Sequence, residues 1–357
     1  MWVVVAQPFP QVEPYLWQGA QAIEQGHPEK GIHLLNISLK IDRDNPYTYL
    51  YRGLAYYHLQ KYRHAVRDFR KAIRRDSTLV HAYANLSNAY NKLGKHRKAI
   101  RVAERGLHFD PRMPHLYNAI GVAYWNQHYY DLALRYFKKS VEVDSTYSMG
   151  YNNLAAAIYA NQNIAAAHRR DVLRAIRYFR RSLRLDPHMA LAHRNLGAMW
   201  LSLQQPAQAI DHFYQAIRLD PADAASHALL GQAHYALRHY GNAIEAWQHA
   251  QSLDSDRKGL DIDIGNAFLR LHHYDSAQYY YRRAIKHGRY WKGLAYYNLA
   301  CLASLQDNLA TAYQRLKKSY RKGYLKDPQN WEWMKQDPDL ENFRNSRWYL
   351  KLLEWIN

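Results

Sequence analysis

The chain has 357 residues and carries 49 Lys and Arg against 30 Asp and Glu, a formal net charge of +19. Such a length would ordinarily divide into two or three compact domains, and the charge excess directs attention to an anionic partner. A 48% hydrophobic fraction suffices for a core, no apolar run approaches the ~18 residues of a membrane span, and the single cysteine, Cys301, excludes an intrachain disulfide framework or a cysteine-cluster metal site.

At the N-terminus, residues 1–11 read as a leader. The segment Met1 to Gln7 is apolar, but it lacks the basic flank and the ~7–15-residue apolar core of a complete signal peptide. The chain as written is expected to be soluble and cytoplasmic; if the start codon is misassigned, the leader is the remnant of a longer signal and the protein is periplasmic or exported.

Beyond the leader the chain is periodic. Small residues recur at Gly19, Gly53, Ser87, Gly121, Ala155, Gly197, Gly231, Gly265 and Ala300, in steps of 34 broken once by 42 and ending with 35. A second column, Gly31, Ala65, Ala99, Ala133, Ala175, Ala209, Ala243, Ala277 and Ala312, carries the same interruption. Two columns with one period and one shared break define nine units over residues 12–326.

Each unit reads as two helices. Tyr49, Gly53 and Tyr56 share one face of the first helix, and Ala65, Phe69, Ala72 and Ile73 form one stripe of the second. A small residue where two helices cross lets their backbones approach, while an aromatic fills the space one turn on. Short polar connections such as Leu93-Gly94-Lys95 close the hairpin. Asp110-Pro111, Asp186-Pro187 and Asp220-Pro221 stop the second helix, because the residue before proline is pushed out of the helical region.

These columns resemble the tetratricopeptide repeat, whose pattern asks for a bulky, a small and an aromatic residue in the first helix and alanine, an aromatic and proline in the second. Tyr117, Gly121, Tyr124, Ala133 and Phe137 match it in one unit, and Leu196, Gly197, Trp200, Ala209, Phe213 and Pro221 in another. Gly31, Ala103 and His234 depart from it. The resemblance implies an all-α fold, a right-handed α-solenoid (superhelix) of stacked antiparallel helix pairs.

Two features interrupt the array. Eight extra residues fall in the fifth unit (148–189), where Asn163 to Arg170 either lengthen the hairpin by about two turns, ~12 Å, or form a surface loop. The tail 327–357 resembles the capping segment of bacterial tetratricopeptide arrays, with Trp331, Trp333, Leu340, Phe343, Tyr349, Leu352 and Trp355 expected in the cap core.

No phosphate-binding glycine loop, zinc-protease helix, calcium loop or serine elbow occurs. Histidines such as His128, His239, His272 and His273 fall at hairpin turns and are expected to be solvated. Asp261 and Asp263, two apart on a helix, point to different faces. The array and its cap use nearly the whole chain, so no enzyme activity, metal or cofactor is expected.

The resemblance implies that the first helices line a concave groove for a peptide or helix. The residues expected to face it are Tyr57, Asn85, Asn88, Asn91, Asn118, Trp125, Asn152, Asn153, Tyr159, Arg194, Asn195, Gln232, Tyr235 and Asn266. Side-chain amides pair with main-chain groups whatever the peptide's sequence, and aromatics grip its side chains. The pattern is similar to the asparagine ladder of the protein O-linked N-acetylglucosamine transferases: Asn85, Asn153, Asn195 and Asn298 occupy that face, and Tyr51, Ala119, Leu229 and Asp263 interrupt it. Asn118, Asn153 and Arg194 reproduce only part of the co-chaperone carboxylate clamp.

The charge is localised. Residues 51–200 hold 26 Lys and Arg and 9 Asp and Glu, leaving +17. Most lie on second helices, at Arg70, Lys71, Arg74, Arg101, Arg105, Lys138, Arg177, Arg180, Arg181 and Arg184, and they define an expected basic convex band. The reading is a non-enzymatic adaptor that holds one protein partner in its groove and docks an acidic protein face or anionic membrane surface on its back. Nucleic acid fits less well, because the aromatics of that face belong to the buried stripe. The alternative is a structural, self-assembling solenoid or an assembly factor associated with a membrane surface or nucleic acid.

Overall fold

A computed structural model describes residues 13–160 and 168–356. Every regular element among them is helical. The chain divides into two units, residues 1–187 and 188–357.

The first unit contains five antiparallel pairs: α1 (Glu13–Glu24) with α2 (Pro28–Ile41), α3 (Pro46–His58) with α4 (Tyr62–Arg75), α5 (Val80–Lys92) with α6 (His96–Leu107), α7 (Pro114–Trp125) with α8 (Tyr130–Val143), and α9 (Ser148–Ala160) with α10 (His168–Leu185). The second contains α11 (Ala190–Ser202) with α12 (Pro206–Leu219), α13 (Ala224–Ala236) with α14 (Tyr240–Leu253), α15 (Leu260–Arg270) with α16 (Tyr274–Ala284), and α17 (Arg289–Leu305) with α18 (Leu309–Lys322). It ends in α19 (Pro328–Met334), a 3-10 turn at Pro338–Leu340, α20 (Glu341–Arg344) and α21 (Arg347–Ile356).

The two residue columns meet where each pair crosses. A Cβ built on Gly53 would lie 2.6 Å from the Phe69 ring, and on Gly121 2.5 Å from Phe137, so nothing larger than glycine fits there without displacing the ring. The third pair solves the same problem differently. Its second helix has Ala103 where α4, α8, α10, α12, α14 and α16 carry a ring and α2 and α18 a leucine, and the facing Ser87 fills the space and donates its hydroxyl to the Ala99 carbonyl at 2.9 Å.

Turn chemistry repeats with the same period. Gly26, Gln60, Gly94, His128, Gln204, Arg238, His272 and Asp307 all adopt positive φ between the two helices of a pair. A left-handed residue just past a helix lets the next amide turn back and satisfy an orphan carbonyl; Lys61 N, for example, donates to Tyr56 O at 2.8 Å. After the second helix, Asp76, Asp110, Asp144 and Asp220 each accept the backbone N–H two residues on, an Asx turn that needs no proline.

The insertion is partly resolved by helix lengths. Elsewhere the second helix starts three residues before its small residue, as Tyr62 does before Ala65; α10 starts a further turn ahead of Ala175. Residues 161–167, including the start of the expected Asn163–Arg170 extension, lie outside the described residues, as does the expected leader 1–11.

The tail packs on the last helix pair. Met334, Leu340, Phe343 and Leu352 join Tyr297, Ala300, Ala312 and Leu316 in one buried cluster, with Trp331, Tyr349 and Trp355 against it. Polar locks reinforce it: Arg270 gives two hydrogen bonds to Asp339, at 2.5 and 3.0 Å, and Tyr297 donates to the buried Asp337. Trp333 is a correction to the expected cap core, for at 51% exposure its ring faces outward from the short α19.

Candidate interaction surfaces

Within each unit, successive first helices touch one another, as α3, α5, α7 and α9 do in order, and as α11 does with α13 and α15 with α17; successive second helices make no comparable contact. The first helices therefore form an inner row and the second helices an outer one. In the first unit the two rows differ sharply in charge. Helices α7 and α9 contain no Asp, Glu, Lys or Arg, and α5 has only Lys92 at its end, whereas α4 alone carries six Arg and Lys.

The inner row does not present free amides throughout. Asn153 donates to Asn118 at 2.8 Å and Asn152 to Asn153 at 3.0 Å, tying α7 to α9, and Asn118 and Asn152 are buried. Asn91 donates to the Ala119 carbonyl at 2.9 Å, and Asn85 is also buried. Asn91, Asn118, Asn152 and Asn153 chiefly satisfy the seams between pairs, since a buried amide without a partner is costly. Half-exposed side chains remain at Tyr57, Asn88, Trp125, Asn153 and Tyr159. Tyr57 packs edge-on against Tyr62 with centroids 5.3 Å apart, as Trp125 does against Tyr130 at 5.1 Å, and burial pushes the Tyr57 hydroxyl up to about 12.

In the second unit, Arg194 and Asn195 sit on α11, half-buried. Arg194 is not open to a ligand carboxylate, because it already holds both oxygens of Asp223 at 2.8 and 2.9 Å. Asp223 also accepts from Ser226 Oγ and from the Ala225 amide at the start of α13. Burial opposes its ionisation, but the hydrogen bonds from Ser226 and Arg194 outweigh that and hold its pKa below the usual value.

The outer row of the first unit carries the basic band. Arg70, Arg74, Arg101, Arg105, Lys138, Arg177, Arg180 and Arg184 are exposed, with Lys71 and Arg181 half-buried. Three of these cations lie over tyrosines in repeating register: Lys71 over Tyr49 at 5.1 Å, Arg105 over Tyr83 at 5.8 Å and Arg181 over Tyr151 at 5.9 Å. Lys138 and Lys139 are partly neutralised by Glu142, at 3.5 and 3.9 Å.

Sequence reasoning did not find a cavity of about 580 Å³ on the inner row of the second unit. It is lined by Ala225, Ala228, Leu229, Gln232 and Tyr235 of α13, Trp247 of α14, Leu260, Asp263 and Asn266 of α15, and Arg257 of the preceding turn. Asp261 does face elsewhere, as expected: it is buried and binds Arg283 at 2.7 Å and His287 at 2.8 Å. The signal for the cavity was Asp263 itself, an acid in a column otherwise of amides and apolar residues.

Among the described residues no group of three or more His, Cys, Asp or Glu could hold a metal ion, and no helix is long and apolar enough to cross a membrane. The turn histidines His128, His239, His272 and His273 are exposed.

Family profiles described as tetratricopeptide repeat match residues 46–79, 80–112, 114–147, 164–224 and 201–256. No curated protein matches the chain. Among solved structures, the chain is similar to the anaphase-promoting complex hetero-tetramer Cut9–Hcn1, with 15% identity and a TM-score of 0.64 over 93% of this chain and 64% of that one. It is also similar to a human IFIT1 dimer with m7Gppp-AAAA, at 16% identity and a TM-score of 0.62 over 88% of this chain and 73% of that one. At these identities the likeness is one of fold.

Proposed function

Because the chain belongs to the tetratricopeptide repeat family, whose arrays are protein-interaction scaffolds, we propose that it is an adaptor with two chemically distinct docking faces. The inner row receives an extended or helical segment of one protein partner. The outer row of α4, α6, α8 and α10 docks an acidic protein surface or an anionic membrane.

The observation that carries this reading is the segregation of charge between the rows. Uncharged α7 and α9 offer Asn153, Trp125 and Tyr159 at the inner surface, while exposed Arg70, Arg74, Arg101, Arg177 and Arg184 repeat along the outer one. A face of half-buried aromatics and amides suits a partner whose own side chains supply specificity. A face of exposed arginines suits one with delocalised negative charge.

Affinity capture with variants tests the two faces separately. Asn88→Arg with Tyr159→Ala should abolish recovery of the inner partner and leave outer binding intact; Arg70, Arg74, Arg101 and Arg105 changed together to Gln should do the reverse. Unchanged recovery with both variants, each folded by circular dichroism, contradicts the proposal.

A further inference from the structure

The inner-row cavity of the second unit holds a carboxylate that nothing in the protein uses. Among the described residues no cation lies within 4 Å of Asp263, and its carboxylate makes no hydrogen bond. Asp263 is half-buried, and carboxylates withdrawn from water are ordinarily paired. Of the neighbouring cations, Arg270 is committed to Asp339 at 2.5 Å; Arg257, itself on the cavity wall, lies 3.2 Å from Asp254 without a hydrogen bond from its buried Nε. Tyr235 is the remaining titratable group on the wall, and its hydroxyl is raised by burial first of all.

The other groups in the cavity define what would fit. Leu229 and Leu260 supply apolar wall, and Gln232 is an exposed amide at the surface. Asn266 accepts through Oδ1 from Tyr281 and from Asn298, at 2.8 and 2.9 Å, which leaves its Nδ2 as a donor. An open-sided pocket with an apolar wall, an acid in its lining and amides beside it matches a long aliphatic stem ending in a cation, attached to a peptide backbone.

We propose that this cavity is a specificity pocket for a lysine or arginine side chain of the partner segment, with Asp263 as its counter-ion and Gln232 and Asn266 holding the adjoining peptide. This rests on the inner-row reading and sharpens it by naming the chemistry of one anchor residue. Burial alone raises the pKa of Asp263 to about 6, the state of an acid awaiting a counter-charge, and at neutral pH it remains mostly ionised.

The test is selection of phage-displayed random dodecapeptides on the full chain at pH 7.5, followed by titration of the selected peptides. Selected peptides should share Lys or Arg at one position. Replacing that residue by norleucine, or Asp263→Asn in the protein, should each weaken binding at least about tenfold, with little further loss when both are made. Asp263→Asn removes an unpaired, half-buried charge, so its thermal midpoint should not fall below that of the parent, which separates lost binding from lost fold. Peptides that are blocked by Gln232→Arg but share no cation, or bind Asp263→Asn equally well, overturn the pocket and leave the inner-row reading standing. Failure to select any peptide sensitive to Gln232→Arg or Asn88→Arg overturns both.

Discussion

Arg238 adopts φ 63° and Gln204 φ 58°, where a side chain crowds its own backbone, while Gly26 and Gly94 occupy the equivalent turns without that penalty. Arg238→Gly should therefore stabilise the chain by about 0.5–1 kcal/mol, after allowing for the greater chain entropy of glycine. Gly121→Ala should do the opposite, since its Cβ would stand 2.5 Å from Phe137, and overpacking of this kind costs about 1–3 kcal/mol. Denaturant titration reads both. Asp263 adds a pH dependence. Its folded pKa of about 6 lies above the ordinary 3.8, so folding is penalised as pH rises through that interval and the penalty is complete above it. Asp263→Asn should raise stability at pH 7.5 by at most about 3 kcal/mol, with the gain shrinking toward pH 4. A pH-independent difference would show that Asp263 is solvated as in the unfolded chain.

At the scale of elements, the helix pairs were legible because packing at the crossing demands one small and one large residue at a fixed period, and no other part of the pattern is so constrained. Ala103 looked like a lapse, yet Ser87 answers it from the facing helix. What the pattern left hidden involves partners from neighbouring pairs. Asn118 and Asn153 have the spacing of ligand-facing amides, but whether they face a ligand or each other depends on the approach of α7 to α9. Arg194 is likewise spent on Asp223, 29 residues away. Trp333 was misplaced because α19 is only seven residues long, too short for its apolar positions to share one buried face. The tail's attachment yields a prediction of its own. Asp339→Ala strips Arg270 of its bidentate partner and should cost about 1–3 kcal/mol. It should also expose residues after 327 to limited proteolysis before the helix pairs are cut; simultaneous cleavage throughout would show that the tail and the last pair unfold as one.

For the whole molecule, the net charge of +19 resolves into a +17 block over residues 51–200, most of it borne by outer helices beneath which buried Tyr49 and Tyr83 hold Lys71 and Arg105 in register. Binding to an anionic partner there should weaken steeply as salt rises from low to physiological concentration, because exposed charges are screened over about 8–10 Å. Binding at the inner row, where α7 and α9 carry no charged side chain and the one proposed ion pair is at half-buried Asp263, should respond much less. The measurement that tests the two-faced account most directly is site-specific photo-crosslinking, with p-benzoylphenylalanine placed at Asn88 on α5 in one protein and at Arg101 on α6 in another. The account predicts two different sets of crosslinked partners, of which only the Arg101 set disappears at high salt. The same partner at both positions, with the same salt response, would contradict it.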